Sequence, residues 1–203
     1  MIKQLTYLLF YTAFITTTQA KSSEPDNTSN NYTVEQVIEF LQLDGHVEGG
    51  FYRRTYEATT TPKISTDAGK RFSMTSIFYL LSAESPIGHF HLNKSDIVHY
   101  FQLGDPITYY LISPDGKLKT VVMGTNLAAG EKLQLTVPGG TWKASKIVKG
   151  GKKGYSLISE AVSPGFNFAD MKLGYHELLL KKFPQHKEII LKLSPITSPT
   201  KPM

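Results

Sequence analysis

Three of the six histidines in this chain fall within eleven residues, in the run Gly88-His89-Phe90-His91-Leu92-Asn93-Lys94-Ser95-Asp96-Ile97-Val98-His99. Imidazoles with a carboxylate in reach support two kinds of chemistry. They ligate divalent transition metals such as zinc, iron, nickel or manganese. They also move protons, because histidine titrates near neutral pH. Side chains of a strand alternate with period two, so His89 and His91 are expected on one side. Asp96 follows after a short connection, and His99 begins to line the next strand. His91 and His99 are therefore candidate catalytic residues. His89, His91, Asp96 and His99 are the candidate ligands of a divalent transition metal. A metal-free pocket, or histidines that only hydrogen-bond, fits the same residues.

Other segments offer binding groups. Glu48-Gly49-Gly50-Phe51-Tyr52-Arg53-Arg54 joins a carboxylate, aromatics and guanidinium groups to paired glycines, which permit unusual backbone angles or close approach. Pro138-Gly139-Gly140-Thr141-Trp142-Lys143 reads as a tight turn into a strand and carries the one Trp of the chain. Glu48, Tyr52, Arg53, Phe90, Tyr109, Trp142 and Lys143 are the candidate ligand-binding residues.

The elements that must position these groups are mostly strands. Short β-rich runs at Met74–Leu81, Ile97–Gln102, Ile107–Ile112, Leu118–Met123, Leu133–Val137, Trp142–Val148 and Tyr155–Val162 alternate with turns such as Ser113-Pro114-Asp115-Gly116. That punctuation predicts an antiparallel sandwich or barrel. A short helix precedes it: Thr33 and Gln36 have capping-box spacing, and Val34, Val37, Ile38 and Leu41 follow a helical period. A second helix is expected around Tyr175–Lys182, with Pro184 ending it.

The chain has 203 residues, enough for one domain with a sizeable core. It has no cysteine, which excludes disulfides, thiolate nucleophiles and cysteine metal sites. A net charge of +5 is spread thinly. The densest cluster, Lys146 to Lys153, is interleaved with glycines and reads as a solvated hairpin tip, so nucleic acid is not an expected partner. Lys3, the apolar run Leu8–Ile15 and Thr18-Gln19-Ala20 predict a cleaved signal peptide over residues 1–20, hence a secreted or periplasmic protein with no stable membrane span after cleavage. Residues 21–32 read as a flexible leader, 33–183 as the domain and 184–203 as a C-terminal tail. Asn27, Asn31 and Asn93 each begin a glycosylation sequon.

The ordered set Glu48-Gly49-Gly50-Phe51-Tyr52, Ser85-Pro86-Ile87-Gly88, Phe90-His91, Ile97-Val98-His99, Pro114-Asp115-Gly116, Gly130-Glu131, Pro138-Gly139-Gly140, Lys143-Ala144-Ser145 and Pro164-Gly165-Phe166 resembles an uncharacterised branch of the cupin superfamily found in bacteria and fungi. The resemblance spans roughly residues 33–183. It implies an all-β fold, a double-stranded β-helix or jelly-roll barrel with short terminal helices, paired as a homodimer. It also implies kinship with sugar-nucleotide epimerases and sugar-phosphate isomerases, by analogy of fold. It favours His91 and His99 as pocket residues over His89. The wider cupin metal pattern asks for His-x-His, a Glu some four residues on, and a later histidine. Asp96 stands for the Glu, and Lys143 takes the place of the last histidine, where a cation repels a metal.

Three functional readings follow. One is a cupin that binds a polar, carbohydrate-like small molecule and isomerises it: His91 or His99 is the base, Tyr52, Tyr109 or Tyr110 returns a proton, and Arg53 holds an anionic group. The others are a metal-dependent oxygenase or decarboxylase and a non-catalytic binding module.

Overall fold

The computed structural model describes residues 31–148 and 150–196. The expected signal peptide and residues 21–30 of the expected leader lie outside the described residues. The chain runs α1 (Val34–Leu41), β1 (Asp44–Gly45), β2 (Phe51–Glu57), β3 (Ile64–Thr66), β4 (Gly69–Arg71), β5 (Thr75–Ser82), β6 (Ile87–Asn93), β7 (Asp96–Gly104), β8 (Ile107–Ile112), β9 (Leu118–Met123), β10 (Gln134–Val137), β11 (Trp142–Ile147), β12 (Tyr155–Ser163), β13 (Met171–Leu173), α2 (His176–Lys182) and α3 (Lys187–Leu193).

The strands form two antiparallel sheets, ordered β1-β2-β5-β12-β7-β10 and β13-β6-β11-β8-β9, with β3 and β4 as a separate hairpin. Consecutive strands often lie in different sheets, so the chain winds as a jelly-roll barrel. Strand alternation sorts its apolar residues into compartments. Tyr79, Leu81, Tyr109, Leu135, Ile147 and Ile158 pack together in one core. Their chain neighbours Leu80 and Leu157 turn to the other face and pack with Val37 and Leu43 under α1. Phe90, Trp142 and Ala144 turn out of the other sheet, against Leu179, Phe183, Ile190 and Leu193 of the C-terminal region. Central strands therefore bury both faces.

α1 begins as expected. Thr33 Oγ1 accepts from the Gln36 amide at 3.3 Å, and Gln36 Oε1 accepts from the Thr33 amide at 3.0 Å. It ends at Gln42, which takes the left-handed conformation (φ 51°), three residues ahead of Gly45.

Two boundaries differ from the sequence reading. The segment assigned to a tail contains α3, whose Ile190 and Leu193 are buried against the sheet. Pro184 stops α2 but opens a 3-10 turn that leads directly into α3, a position where proline's missing N–H costs nothing. The lysine-rich segment after Ile147 is not a hairpin tip, since β11 and β12 belong to different sheets. Asp105 takes the amides of Lys153 and Gly154 there.

Candidate functional site

A turn between β1 and β2 delivers the first two groups. Gly49 and Gly50 have φ of 94° and 71°, and Cβ atoms there would stand 2.2 Å from the Ile87 carbonyl oxygen and 2.5 Å from that of Leu80. Only glycine lets the turn press this closely onto β5 and β6. The Gly49 carbonyl accepts from Tyr79 Oη at 2.8 Å, and the Glu48 carbonyl accepts from the His89 amide at 2.6 Å. Pinned in this way, the turn aims His46 and Glu48 into the barrel.

β6 supplies His91 and Asn93. Its pairing with β11 matches Lys143 to His91 and Ser145 to Gly88, so His89 and Phe90 together oppose the single Ala144. This β-bulge cancels one step of the alternation. Gly88, His91 and Asn93 face inward, whereas Phe90 and Leu92 face α2 and α3. His89 leaves the cavity as well: its Nδ1 lies 3.3 Å from the Leu193 carbonyl of α3.

Register also sets the floor of the barrel. His99 on β7 pairs with Glu160 on β12, and with Leu135 on β10. Lys143 reaches across from the opposite sheet. Its Nζ donates to His99 Nε2 at 2.8 Å and to Glu160 Oε1 at 3.2 Å. His99 is fully buried and Lys143 is 4% exposed. Tyr109 packs edge-on to His99, with ring centroids 4.9 Å apart.

Above this floor is a small cavity lined by His46, Glu48, Tyr52, Arg54, Tyr79, His91, Asn93 and Glu160, with Ile77, Val162 and Phe166 as its apolar part. Its volume is ≈ 30 Å³, so it admits only the end of a small polar molecule.

Both barrel histidines are held in one tautomer. His91 Nδ1–H donates to the His89 carbonyl at 2.8 Å, and His99 Nδ1–H to that of Leu135 at 3.2 Å. Their Nε2 lone pairs therefore point inward. The lone pair of His99 is taken by Lys143. That of His91 has no hydrogen-bond donor, although Glu48 Oε2 is only 3.2 Å away. His46 Nδ1 accepts the Glu48 amide at 3.3 Å.

Burial and charge then split the carboxyls. Burial pushes Glu48 up to about 8, partly opposed by Lys143. Glu160 suffers the same burial, but the ammonium of Lys143 and the ring of His99 beside it more than compensate and hold it far below the usual range. Burial lowers His46 to about 4. Burial, reinforced by Lys143, also lowers His91 and His99. Tyr79 and Tyr109 are driven well above 10 by burial. At neutral pH the cavity thus holds two neutral imidazoles, His46 and His91, a protonated Glu48 and, beneath them, an ion pair of Glu160 with Lys143.

The structure brings Glu48, Tyr52 and His91 to the cavity and sets His99, Tyr109 and Lys143 behind or below it. It moves other candidates away. Arg53 points to the far side of β2, toward Gln42 Oε1 at 3.4 Å, and Arg54 takes the inward position. Phe90 and Trp142 belong to the core beneath α2 and α3. Asp96 is exposed and accepts the Gly139 amide at 2.8 Å, tying down the Pro138-Gly139-Gly140 turn. Asn93 is buried in the cavity wall, so its sequon offers no acceptor in the folded chain. His46, Arg54, Asn93 and Glu160 were not among the candidate site residues read from the sequence.

The metal set expected from the sequence does not form, because His89 and Asp96 lie elsewhere. His91, His99, Glu48 and Glu160 do converge, but the Lys143 ammonium holds the His99 lone pair and a Glu160 oxygen that an ion would need. Among the described residues no group of three or more histidines and carboxylates is arranged to hold an ion. The donor set does not fit a metal.

A jelly-roll barrel closed around histidines and carboxylates from two facing sheets defines a cupin. The chain belongs to the cupin superfamily family DUF985, whose pattern matches residues 35–174. An uncharacterised protein of Saccharomyces cerevisiae is 38% identical over 149 residues, 68% of this chain and 73% of the relative. A solved protein from Shewanella oneidensis superposes with a TM-score of 0.74 at 40% identity, covering 82% of this chain and 99% of that one. A hypothetical protein from Leishmania major gives a TM-score of 0.75 at 33% identity, with 80% and 99% covered.

Proposed function

We propose that the barrel binds the end of a small, polar, carbohydrate-like hydroxycarbonyl molecule and isomerises it by acid–base proton transfer. The observation that carries this reading is the pair His91 and Glu48. A neutral imidazole with its Nε2 lone pair aimed into the cavity stands 3.2 Å from a buried carboxyl. His91 Nε2 takes the proton from the carbon next to the carbonyl, while Glu48 gives its proton to the carbonyl oxygen. The resulting enediol collapses in reverse: Glu48 recovers a proton from the neighbouring hydroxyl, and His91 returns its proton to the former carbonyl carbon. The acid and the base work best in opposite protonation states at the same pH, which burial supplies here. Lys143 supports them from below, because its charge helps keep His91 unprotonated.

The test is solvent deuterium incorporation, followed by proton NMR, into a panel of three- to six-carbon hydroxyaldehydes and hydroxyketones incubated with the full chain. His91→Ala should slow exchange by about 10²- to 10⁴-fold and leave the circular dichroism spectrum unchanged. Ligands that bind without ever exchanging a carbon-bound hydrogen would refute catalysis and leave a binding module.

A further inference from the structure

Arg54 and Phe166 line not only the barrel cavity but also a second cleft, with Lys63, Lys70, Arg71 and Phe72. This cleft is larger, ≈ 270 Å³. The β3–β4 hairpin forms one wall and the segment from Gly165 to Phe168 forms another.

Its charges do not cancel. Arg54 Nη1 pairs with Glu57 at 2.9 Å. Arg71 grips both oxygens of Asp170, at 2.5 and 3.1 Å, which fixes the hairpin to the 3-10 turn before β13. Lys63 and Lys70 remain. Both are exposed, and neither has an ion-pair partner among the described residues. Lys63 Nζ sits 4.5 Å above the Phe72 ring, which holds it over the cleft. Arg54 keeps a further donor in reserve, since its Nε is buried without a hydrogen-bond partner.

We infer that this cleft holds a phosphate group carried by the same molecule whose reacting end enters the barrel. The inference rests on the acid–base reading only in calling that molecule a substrate. Two uncompensated ammonium groups match a phosphate monoester, which carries close to two negative charges at neutral pH. A carboxylate would leave one ammonium unanswered. The Arg54 guanidinium offers the planar donor geometry suited to phosphate oxygens. Because Arg54 borders both spaces, a ligand can span them without leaving the protein surface.

Calorimetric titration of the full chain with glycerol 3-phosphate tests this, because that probe has a polar head and a phosphate but no carbonyl to react. Wild type should bind it saturably, at least tenfold more tightly than glycerol, and more weakly as salt rises. The double variant Lys63→Gln/Lys70→Gln should lose at least tenfold in affinity, while Lys119→Gln/Lys132→Gln should bind as wild type does. Glycerol and its phosphate binding alike would overturn the inference, as would equal loss in both double variants or no saturation at millimolar probe. The deuterium test uses uncharged sugars and His91→Ala, so either idea can fail without the other.

Discussion

Replacing Glu48 by Gln removes one titrating proton from the barrel and keeps the side-chain shape. In the folded chain, burial raises Glu48 from 4.5 to about 8. Between those values the folded chain keeps a proton that the unfolded chain has released, so rising pH disfavours the folded state. Each pH unit in that window changes the folding free energy by about 1.4 kcal/mol. From about pH 5.5 to about pH 7.5, wild type should therefore lose about 2.5 kcal/mol relative to Glu48→Gln. The comparison must be between the two proteins. His46, His91 and His99 are all lowered, so they act with the opposite sign. Their unfolded rings take up protons first, and stability falls as pH drops below about 6.5. The histidines remain in both proteins, so subtraction isolates Glu48. Urea unfolding at several pH values gives the two curves. A difference that stays flat across the window would show that Glu48 ionises as an ordinary carboxyl and would remove the proposed acid.

Lys143→Met should destabilise by about 3–5 kcal/mol, because it strands the Glu160 charge in the barrel. Adding Glu160→Gln should recover much of that loss, and a double variant that loses the sum of both would deny the pairing. Leu193→Ala should cost about 2–5 kcal/mol in urea unfolding, since Leu193 is buried in the core beneath α2 and α3; a cost near zero would mean α3 is not part of the folded unit. On the resemblance to cupins we further propose a homodimer, and sedimentation showing a monomer at micromolar concentration would refute it. We also propose that residues 1–20 are a cleaved signal peptide, so that the mature chain begins near Lys21; N-terminal sequencing that finds Met1 on soluble protein would reject this.

β5, β7 to β12 and α1 were legible because each depends on local signals: alternation, turn residues and a capping box. Glu48 was legible because it precedes paired glycines that force a tight turn. Other parts were readable but misread. Period two forbids Tyr52 and Arg53 from facing one cavity, and likewise Trp142 and Lys143, so Arg54 was available from the spacing alone. Glu160 also left a trace, as a lone charge among buried residues on β12, sharing parity with Ile158 and Val162. His46 left none, since a turn has no period. The position of His89 depended on a bulge, which arises from pairing with β11 and not from the letters of β6. α3 was hidden by a proline that ends α2 as read but also opens the 3-10 turn leading into the next helix.

The bulge in β6 has a consequence for how kindred chains are compared. A string match would score His89-x-His91 as equal to a metal-binding His-x-His, yet here one ring faces the barrel and the other props the C-terminal helix. The two letters therefore answer to different selective demands. A lineage could exchange His89 whenever α3 changes, and His91 only when the ligand changes. Shared spelling at this point is no measure of shared chemistry; the number of residues between Gly88 and the lysine's strand partner is the better guide.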